Sequence, residues 1–321
     1  MIEFDPAIET NFRTVLEDHT AGDPMRLEVK WTNLSRRQIA KRMKDLGTDV
    51  GRDVVSQLLK THGYRRRKAL KKKTMGPRHP DRNAQFENIA RLKKTYLKGG
   101  LPVISIDTKK KELMGDFYRD GVIETQATIE VNDHDFGSMS SGTVIPHGIC
   151  DVGRNEGFIH LNTSHDTSEL ACDSIAAWWE DQGRASYPRA KELLVLCDGG
   201  GSNSASRSVF KEHLEKLATR LGLEIRVAHY PPYCSKYNPI EHRLFPHVTR
   251  ACLGVIFRSL ETVRNYMAKA ETSTGLKTRV RILEKVYETG RKCAEGFKET
   301  MKIVFDELLP KWNYRAIPEP I

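Results

Sequence analysis

From Leu193 to Cys197 the chain carries no polar side chain, and the run stops at Asp198. A strand with one wet face alternates apolar and polar residues. An unbroken apolar run instead predicts a strand buried on both faces, central in a sheet that helices cover on each side. Val103-Ile104-Ser105-Ile106-Asp107 repeats the arrangement, and Asn238-Pro239-Ile240-Glu241 sets a third acid just past an apolar pair. A carboxylate at the end of a buried strand is presented at the sheet's edge. There, hard oxygen ligands can gather Mg²⁺ or Mn²⁺ while water still enters.

The segments between these acids alternate in period. Val103 to Asp107 reads as a strand, Lys109 to Phe117 with Val122 to Val131 as a polar hairpin, Gly142 to Asp151 as a further strand and Gly157 to Asn162 as a short one. Asp166-Thr167-Ser168-Glu169 resembles a capping box with Asp in the cap position, opening a helix along Ala171, Ile175 and Trp178 that ends before Gly183. After Leu193 to Asp198 come a helix along Phe210, Leu214, Leu217 and Leu221, a strand over Glu224 to His229, and a last helix beginning at or near Pro239. The order β-β-β-α-β-α-β-α predicts an α/β, ribonuclease-H-like mixed sheet flanked by helices. In that fold the first strand, the fourth strand and the last helix bring three acids together.

Three converging carboxylates suit two divalent ions, roughly 3.5 to 4 Å apart, that activate an attacking hydroxyl and stabilise the leaving oxygen of an in-line phosphoryl transfer. The expected sharing has Asp107 bridge both ions, while Asp198 and Glu241 each complete one site. Oxygen ligands favour Mg²⁺ or Mn²⁺, whereas a dedicated zinc site would want His or Cys. Taken singly, each acid has a plainer reading: Asp198 before Gly199-Gly200-Gly201 could serve a loop, and Glu241 suits the first turn of any helix. Those glycines form no G-x-x-x-x-G-K-[ST] phosphate loop.

The N-terminal third supplies a substrate. Ser35-Arg36-Arg37-Gln38 is a capping-box pattern, Ile39, Met43 and Leu46 follow at helical spacing, and Gly47 stands where a left-handed stop belongs. A second helix from near Gly51 carries Val54, Val55, Leu58 and Leu59 on one side, leaving Arg52, Ser56, Gln57 and Lys60 on the other. This predicts a small all-α helix-turn-helix module, with Ile8, Phe12, Val15 and Leu16 on a packing helix and the polar face reading base edges. Directly behind come Arg65, Arg66, Arg67, Lys68, Lys71, Lys72 and Lys73, then Arg78, which concentrate much of a net charge of +10. A tract this dense neutralises several phosphates and binds nucleic acid in a salt-sensitive way. The expected organisation is a DNA-binding module over 1–64, a basic linker over 65–100 and a catalytic domain over 101–321. Lys109 and Lys110, just past the first acid, would touch the scissile strand.

Composition excludes other classes. No run approaches the ~18 apolar residues of a membrane span, and Met1 to Asp5 lacks a signal-peptide pattern, so a cytoplasmic, nucleoid-associated protein is expected. The six cysteines form no C-x-x-C pair and read as reduced, mostly buried thiols. Trp178 and Trp179 read as core, and His134 and Asp135 as loop residues.

At motif scale, Tyr230 to Phe245 looks like the third-carboxylate motif of DDE transposases, including the Asn-Pro-Ile-Glu of mariner-like elements. Ser105 to Leu113, His134-Asp135-Phe136, Asp198 to Asn203, Glu241 to Phe245 and Trp312-Asn313-Tyr314 resemble the ISAzo-thirteen family, the Rhodopirellula-type DDE transposases of bacterial insertion sequences. The resemblance implies a DNA transposase that binds terminal repeats as double-stranded DNA, hydrolyses strands and transfers the 3′-hydroxyl ends to target DNA. It also implies two Mg²⁺ or Mn²⁺ ions at Asp107, Asp198 and Glu241; a homo-oligomer on DNA is expected with it. The family's DNA-binding region is longer than what precedes Ser35, and its third motif often has Lys where Pro239 stands. Two alternatives share these features: a ribonuclease-H-fold nuclease that cuts without joining, and a truncated, non-catalytic DNA-binding remnant.

Overall fold

Helix α1 (Pro6–Glu17) turns Phe12, Val15 and Leu16 onto Ile39 and Met43 of α2 (Arg36–Asp45) and Val55 and Leu58 of α3 (Arg52–Thr61), which together form the core of the first unit. The computed structural model describes residues 6–17, 19–23, 26–67, 80–200 and 208–319. It divides into two units, 1–73 and 74–321. Ser35 caps α2 as its sequence pattern predicts: Ser35 Oγ accepts from Gln38 N, and Gln38 Oε1 accepts from Ser35 N at 2.8 Å. Gly47 takes a φ of +88°, a left-handed stop that a side chain would resist. Asn11 Nδ2 donates to Leu46 O and Thr48 Oγ1, tying α1 to the turn between α2 and α3. An antiparallel hairpin, β1 (Thr20–Asp23) with β2 (Arg26–Thr32), joins α1 to α2 and adds strands to the expected helices. Of the basic tract, Lys68, Lys71, Lys72, Lys73 and Arg78 lie outside the described residues.

The second unit opens with α4 (Arg82–Lys98), within the segment expected as linker. Gln85, Asn88, Ile89, Leu92 and Tyr96 recur at helical spacing and are buried, so this stretch covers the sheet. Next come β3 (Val103–Thr108), β4 (Glu112–Met114), β5 (Gly142–Asp151) and β6 (Glu156–Asn162), then α5 (Ser168–Trp178) running through a π turn into α6 (Arg184–Ser186). β7 (Glu192–Asp198), α7 (Ser208–Leu221), β8 (Glu224–Tyr230), α8 (Pro239–Arg243), α9 (Phe245–Ala251) and α10 (Leu260–Met267) follow. The chain finishes with β9 (Lys277–Ile282), α11 (Phe297–Thr300), β10 (Ile303–Phe305) and β11 (Asn313–Ala316).

The sheet order is β10-β11-β8-β7-β3-β5-β6-β9, with β4 on β5. β3, β7 and β8 run parallel, and β5 is antiparallel to β3 and β6. The five strands β6-β5-β3-β7-β8 form the ribonuclease-H-like centre, and β3 and β7, with their unbroken apolar runs, lie inside it. One face packs Ile104, Ile106, Val195 and Cys197 against α5 and α7; the other packs Val103, Leu194 and Leu196 against α4. The hairpin expected over 109–131 does not form. Only Glu112 to Met114 pair, with β5, and the segment beyond is irregular. Beyond the buried Phe117 its apolar residues lack the burial that fixes register, Val122 being 98% exposed, and Gly115 and Gly121 adopt positive φ. The helix-capping role given to Asp166 belongs to Thr167, whose Oγ1 accepts from Leu170 N at 3.1 Å. The five buried cysteines and the half-buried Cys293 are free thiols. No helix among the described residues is long and apolar enough to cross a membrane.

Candidate active site

The register of β3 on β7 sets two of the acids side by side. Ser105 stands opposite Leu196, so Asp107 and Asp198, two residues further along parallel strands, end level with each other and on one face. Neighbouring strands lie about 4.8 Å apart, which fixes the separation of the two backbones. The third acid arrives on α8, and the chain holds that helix to β3 by a buried polar stitch. Ser105 Oγ donates to Asn238 Oδ1 at 2.5 Å and accepts from Ile240 N at 3.0 Å, while Asn238 Nδ2 donates to Ile106 O at 3.1 Å. Ser105 and Asn238 are fully buried. The stitch thus fixes the residues just before Glu241 to those just before Asp107. Gly148, opposite Asp107 on β5, leaves room for the helices: a Cβ there would meet Phe245 at 2.5 Å and Ile240 at 2.8 Å. Arg243 donates to Val152 O and Asn155 Oδ1, anchoring the far end of α8 to the β5–β6 turn.

Electrostatics shows how closely the acids sit. Burial, then the charge of Asp198, pushes Asp107 up to about 7, against an opposing backbone bond from Thr108 N; Glu241 adds both charge and a side-chain hydrogen bond. Asp198 is pushed up to about 6 by burial and by Glu241. Among the described residues the buried Asp198 Oδ1 has no hydrogen-bond partner. Half-buried carboxylates crowded in this way lack a positive charge, and an oxygen-only donor set suits Mg²⁺ or Mn²⁺. Among the described residues no three His, Cys, Asp or Glu side chains already stand in metal-ligand geometry.

The C-terminal strand supports this site from behind. Trp312 packs where a Cβ on Gly199 would meet its ring at 2.9 Å, immediately after Asp198. His229 Nδ1 lies 3.0 Å from Asp198 O, and His229 Nε2 lies 2.9 Å from the Tyr314 hydroxyl. A carbonyl can only accept, so Nδ1 carries the proton and Tyr314 donates to Nε2. Burial keeps that imidazole neutral, pushing it down to about 4. Asn313 Oδ1 accepts from Asn88 of α4. Asn238, Ser105, His229 and Tyr314 had no assigned role in the sequence, although Asn238 and Tyr314 sit in the family motifs.

The remaining expected site residues are placed unevenly. Arg52, Gln57 and Lys60 are exposed on α3, Ser56 is half-buried there, and Arg65, Arg66 and Arg67 are exposed beyond it. Arg65 donates to Lys60 O and Tyr64 O, which engages one edge of its guanidinium at the end of α3. Lys110 is exposed. Lys109 is not: its ammonium pairs with Glu112 at 2.5 Å, its side chain 10% exposed, and Glu112 also takes Arg119. This ion pair holds Lys109 against β4, so an open contact to a scissile strand is not what its geometry shows. Arg243 is likewise occupied, and His134 and Asp135 are exposed loop residues. Gly201, Ser202 and Asn203 of the second motif lie outside the described residues.

A ribonuclease-H-like sheet with acids level on its first and fourth strands and a third on the helix after the fifth is the arrangement of the DDE class. The chain belongs to the Rhodopirellula-type DDE transposases: the model of the Rhodopirellula transposase DDE domain matches residues 11–318. Solved structures similar to it include a pre-cleavage Mos1 transpososome, at 14% identity and a TM-score of 0.46, covering 81% of this chain and 69% of that one. The Mos1 strand transfer complex (14%, 0.45, 81% and 68%) and the Mos1 mariner paired-end complex with Mn (14%, 0.45, 80% and 69%) are similar to the same degree. No curated protein matches.

Proposed function

We propose that this chain is an active DNA transposase. Its N-terminal unit binds the terminal repeats of its insertion sequence, and the second unit hydrolyses a DNA strand and joins the exposed 3′-hydroxyl end to target DNA. It works at the nucleoid as a homo-oligomer on the DNA. The level placement of Asp107 and Asp198, with α8 stitched to β3 and Glu241 helping to raise the Asp107 carboxyl, carries this reading. Two Mg²⁺ or Mn²⁺ ions, when bound, would supply Lewis acidity to the attacking and leaving oxygens. Asp107, Asp198 and Glu241 would hold them. The stitch through Ser105 and Asn238 holds the start of α8 to β3, so the backbone that carries Glu241 is kept beside that of Asp107 before substrate arrives. The exposed face Arg52, Gln57 and Lys60, with Ser56 at its margin and Arg65 to Arg67 behind it, supports DNA binding by the first unit.

The test uses purified protein, Mg²⁺ and a labelled duplex carrying the DNA that flanks the gene. Strand cleavage and joining to a plasmid target are expected, and Asp198→Asn should abolish both while duplex affinity stays at the parent value. Cleavage by Asp198→Asn at the parent rate would remove the site assignment. Cleavage without joining would leave a nuclease of the same fold.

A further inference from the structure

Four arginines in the first unit converge on one cleft. Arg36 and Arg37 open α2, Arg52 opens α3 and Arg66 follows α3. With Ser35 and Asp53 they line a depression of about 380 Å³. Asp53 is the only acid among these six residues. Among the described residues none of the four guanidinium groups has an ion-pair or hydrogen-bond partner, unlike Arg13, Lys44 and Arg65 of the same unit. Four cations facing one concavity repel one another, and nothing in the fold of this unit requires them there, since its core is the apolar cluster around Ile39 and Val55. A planar guanidinium matches phosphate oxygens in a forked, charge-assisted pair. The geometry points to this cleft as a clamp on a backbone phosphate of duplex DNA, held jointly by Arg36, Arg37, Arg52 and Arg66. This rests on the reading of the first unit as a DNA-binding module and revises one part of it: Arg52 positions the module on the backbone, and base reading falls to the exposed face around Gln57.

The two roles differ in their salt dependence and in their indifference to sequence. The full chain is titrated by fluorescence anisotropy with a random-sequence 30-base-pair duplex and with a duplex that the parent protein has enriched from a random pool. Arg36→Gln, Arg52→Gln and Arg66→Gln should each weaken both duplexes by a similar factor and lower the slope of log affinity against log salt by roughly 0.9. The parent's advantage over each variant should therefore shrink roughly 3.5-fold between 50 and 200 mM salt. Arg52→Lys, which keeps the charge, should retain most of the slope, and Gln57→Ala should weaken only the enriched duplex. Loss at Arg52→Gln confined to the enriched duplex would make Arg52 a base reader and overturn the clamp. So would unchanged affinity and slope in all three variants while the parent binds. A parent chain that binds neither duplex would instead remove the DNA-binding reading itself.

Discussion

Replacing Tyr314 by Phe removes one hydroxyl and keeps the ring, including its contact with Lys211 Nζ 4.7 Å above it and its packing 5.5 Å from the His229 ring. What is lost is the donor to His229 Nε2, 2.9 Å away, in a site where both residues are fully buried. An imidazole nitrogen left unpaired there costs about 1 to 3 kcal/mol. For a unit of this size that corresponds to a fall in melting temperature of roughly 2 to 12 °C. The ring is also released on its Nε2 side, while Nδ1 keeps its bond to Asp198 O with Cys197 Sγ 3.4 Å away. Strand cleavage should therefore fall by more than the small unfolded fraction explains, with duplex affinity unchanged. A double-mutant cycle with His229→Leu separates the hydrogen bond from packing, since both changes remove the same bond. Stability losses from the two substitutions should fall short of additivity by about 1 kcal/mol or more. Losses that add, or a Tyr314→Phe protein that melts and cleaves like the parent, would refute the proposed support of Asp198 by the C-terminal strand.

Acid–base behaviour gives a second prediction. The folded protein raises Asp107 from 3.8 to about 7 and Asp198 from 3.8 to about 6, so both hold protons that the unfolded chain releases at lower pH. Their contribution to metal-free stability is then full below about pH 4 and is lost as pH rises towards 7. Thermal melts of the metal-free protein should show this decline, Asp107→Asn with Asp198→Asn should flatten it, and Mn²⁺ at pH 8 should raise the parent's melting temperature by on the order of 5 °C. Gly148→Ala places a methyl 2.5 Å from Phe245 and 2.8 Å from Ile240, so it should cost about 1 to 3 kcal/mol in denaturant titrations and also depress cleavage by shifting α8. Asn238→Ala takes the acceptor from the Ser105 hydroxyl and a side-chain donor from Ile106 O, and should lower stability by a similar ~1 to 3 kcal/mol while reducing cleavage. Lys109→Ala should lower the melting temperature, because Glu112 loses a partner in a nearly closed site, with no change in duplex affinity; a weakened affinity would restore Lys109 to the DNA.

Much of the sheet could be read from periodicity. The apolar runs of β3 and β7 required burial on both faces, and α2, α5 and α7 showed their stripes. β9 left a signal too, since Thr278, Val280 and Ile282 alternate with Lys277, Arg279 and Arg281. The segment after β4 misled because β propensity without burial does not make a strand. α4 was hidden by charge: its Arg and Lys residues drew attention from Ile89, Leu92 and Tyr96, which cover the sheet. Asp166 looked like a helix cap, yet it accepts from Thr108 Oγ1 beside the site.

By itself the sequence determined that three acids end or follow buried segments, that the core strands lie in a sheet covered by helices on both faces, and that the positive charge gathers near a helical module. These are local properties, set by residue type and spacing. Tertiary structure decided what the acids and cations face. Register between β3 and β7 made Asp107 and Asp198 level, the stitch from Ser105 to Asn238 brought Glu241 to them, and β11 placed Tyr314 behind Asp198. It also withdrew Lys109 into an ion pair and collected Arg36, Arg37, Arg52 and Arg66 around one cleft. Such pairings join residues far apart in the chain. No local pattern encodes them, because the free energy that fixes them comes from packing and desolvation of the assembled sheet and helices.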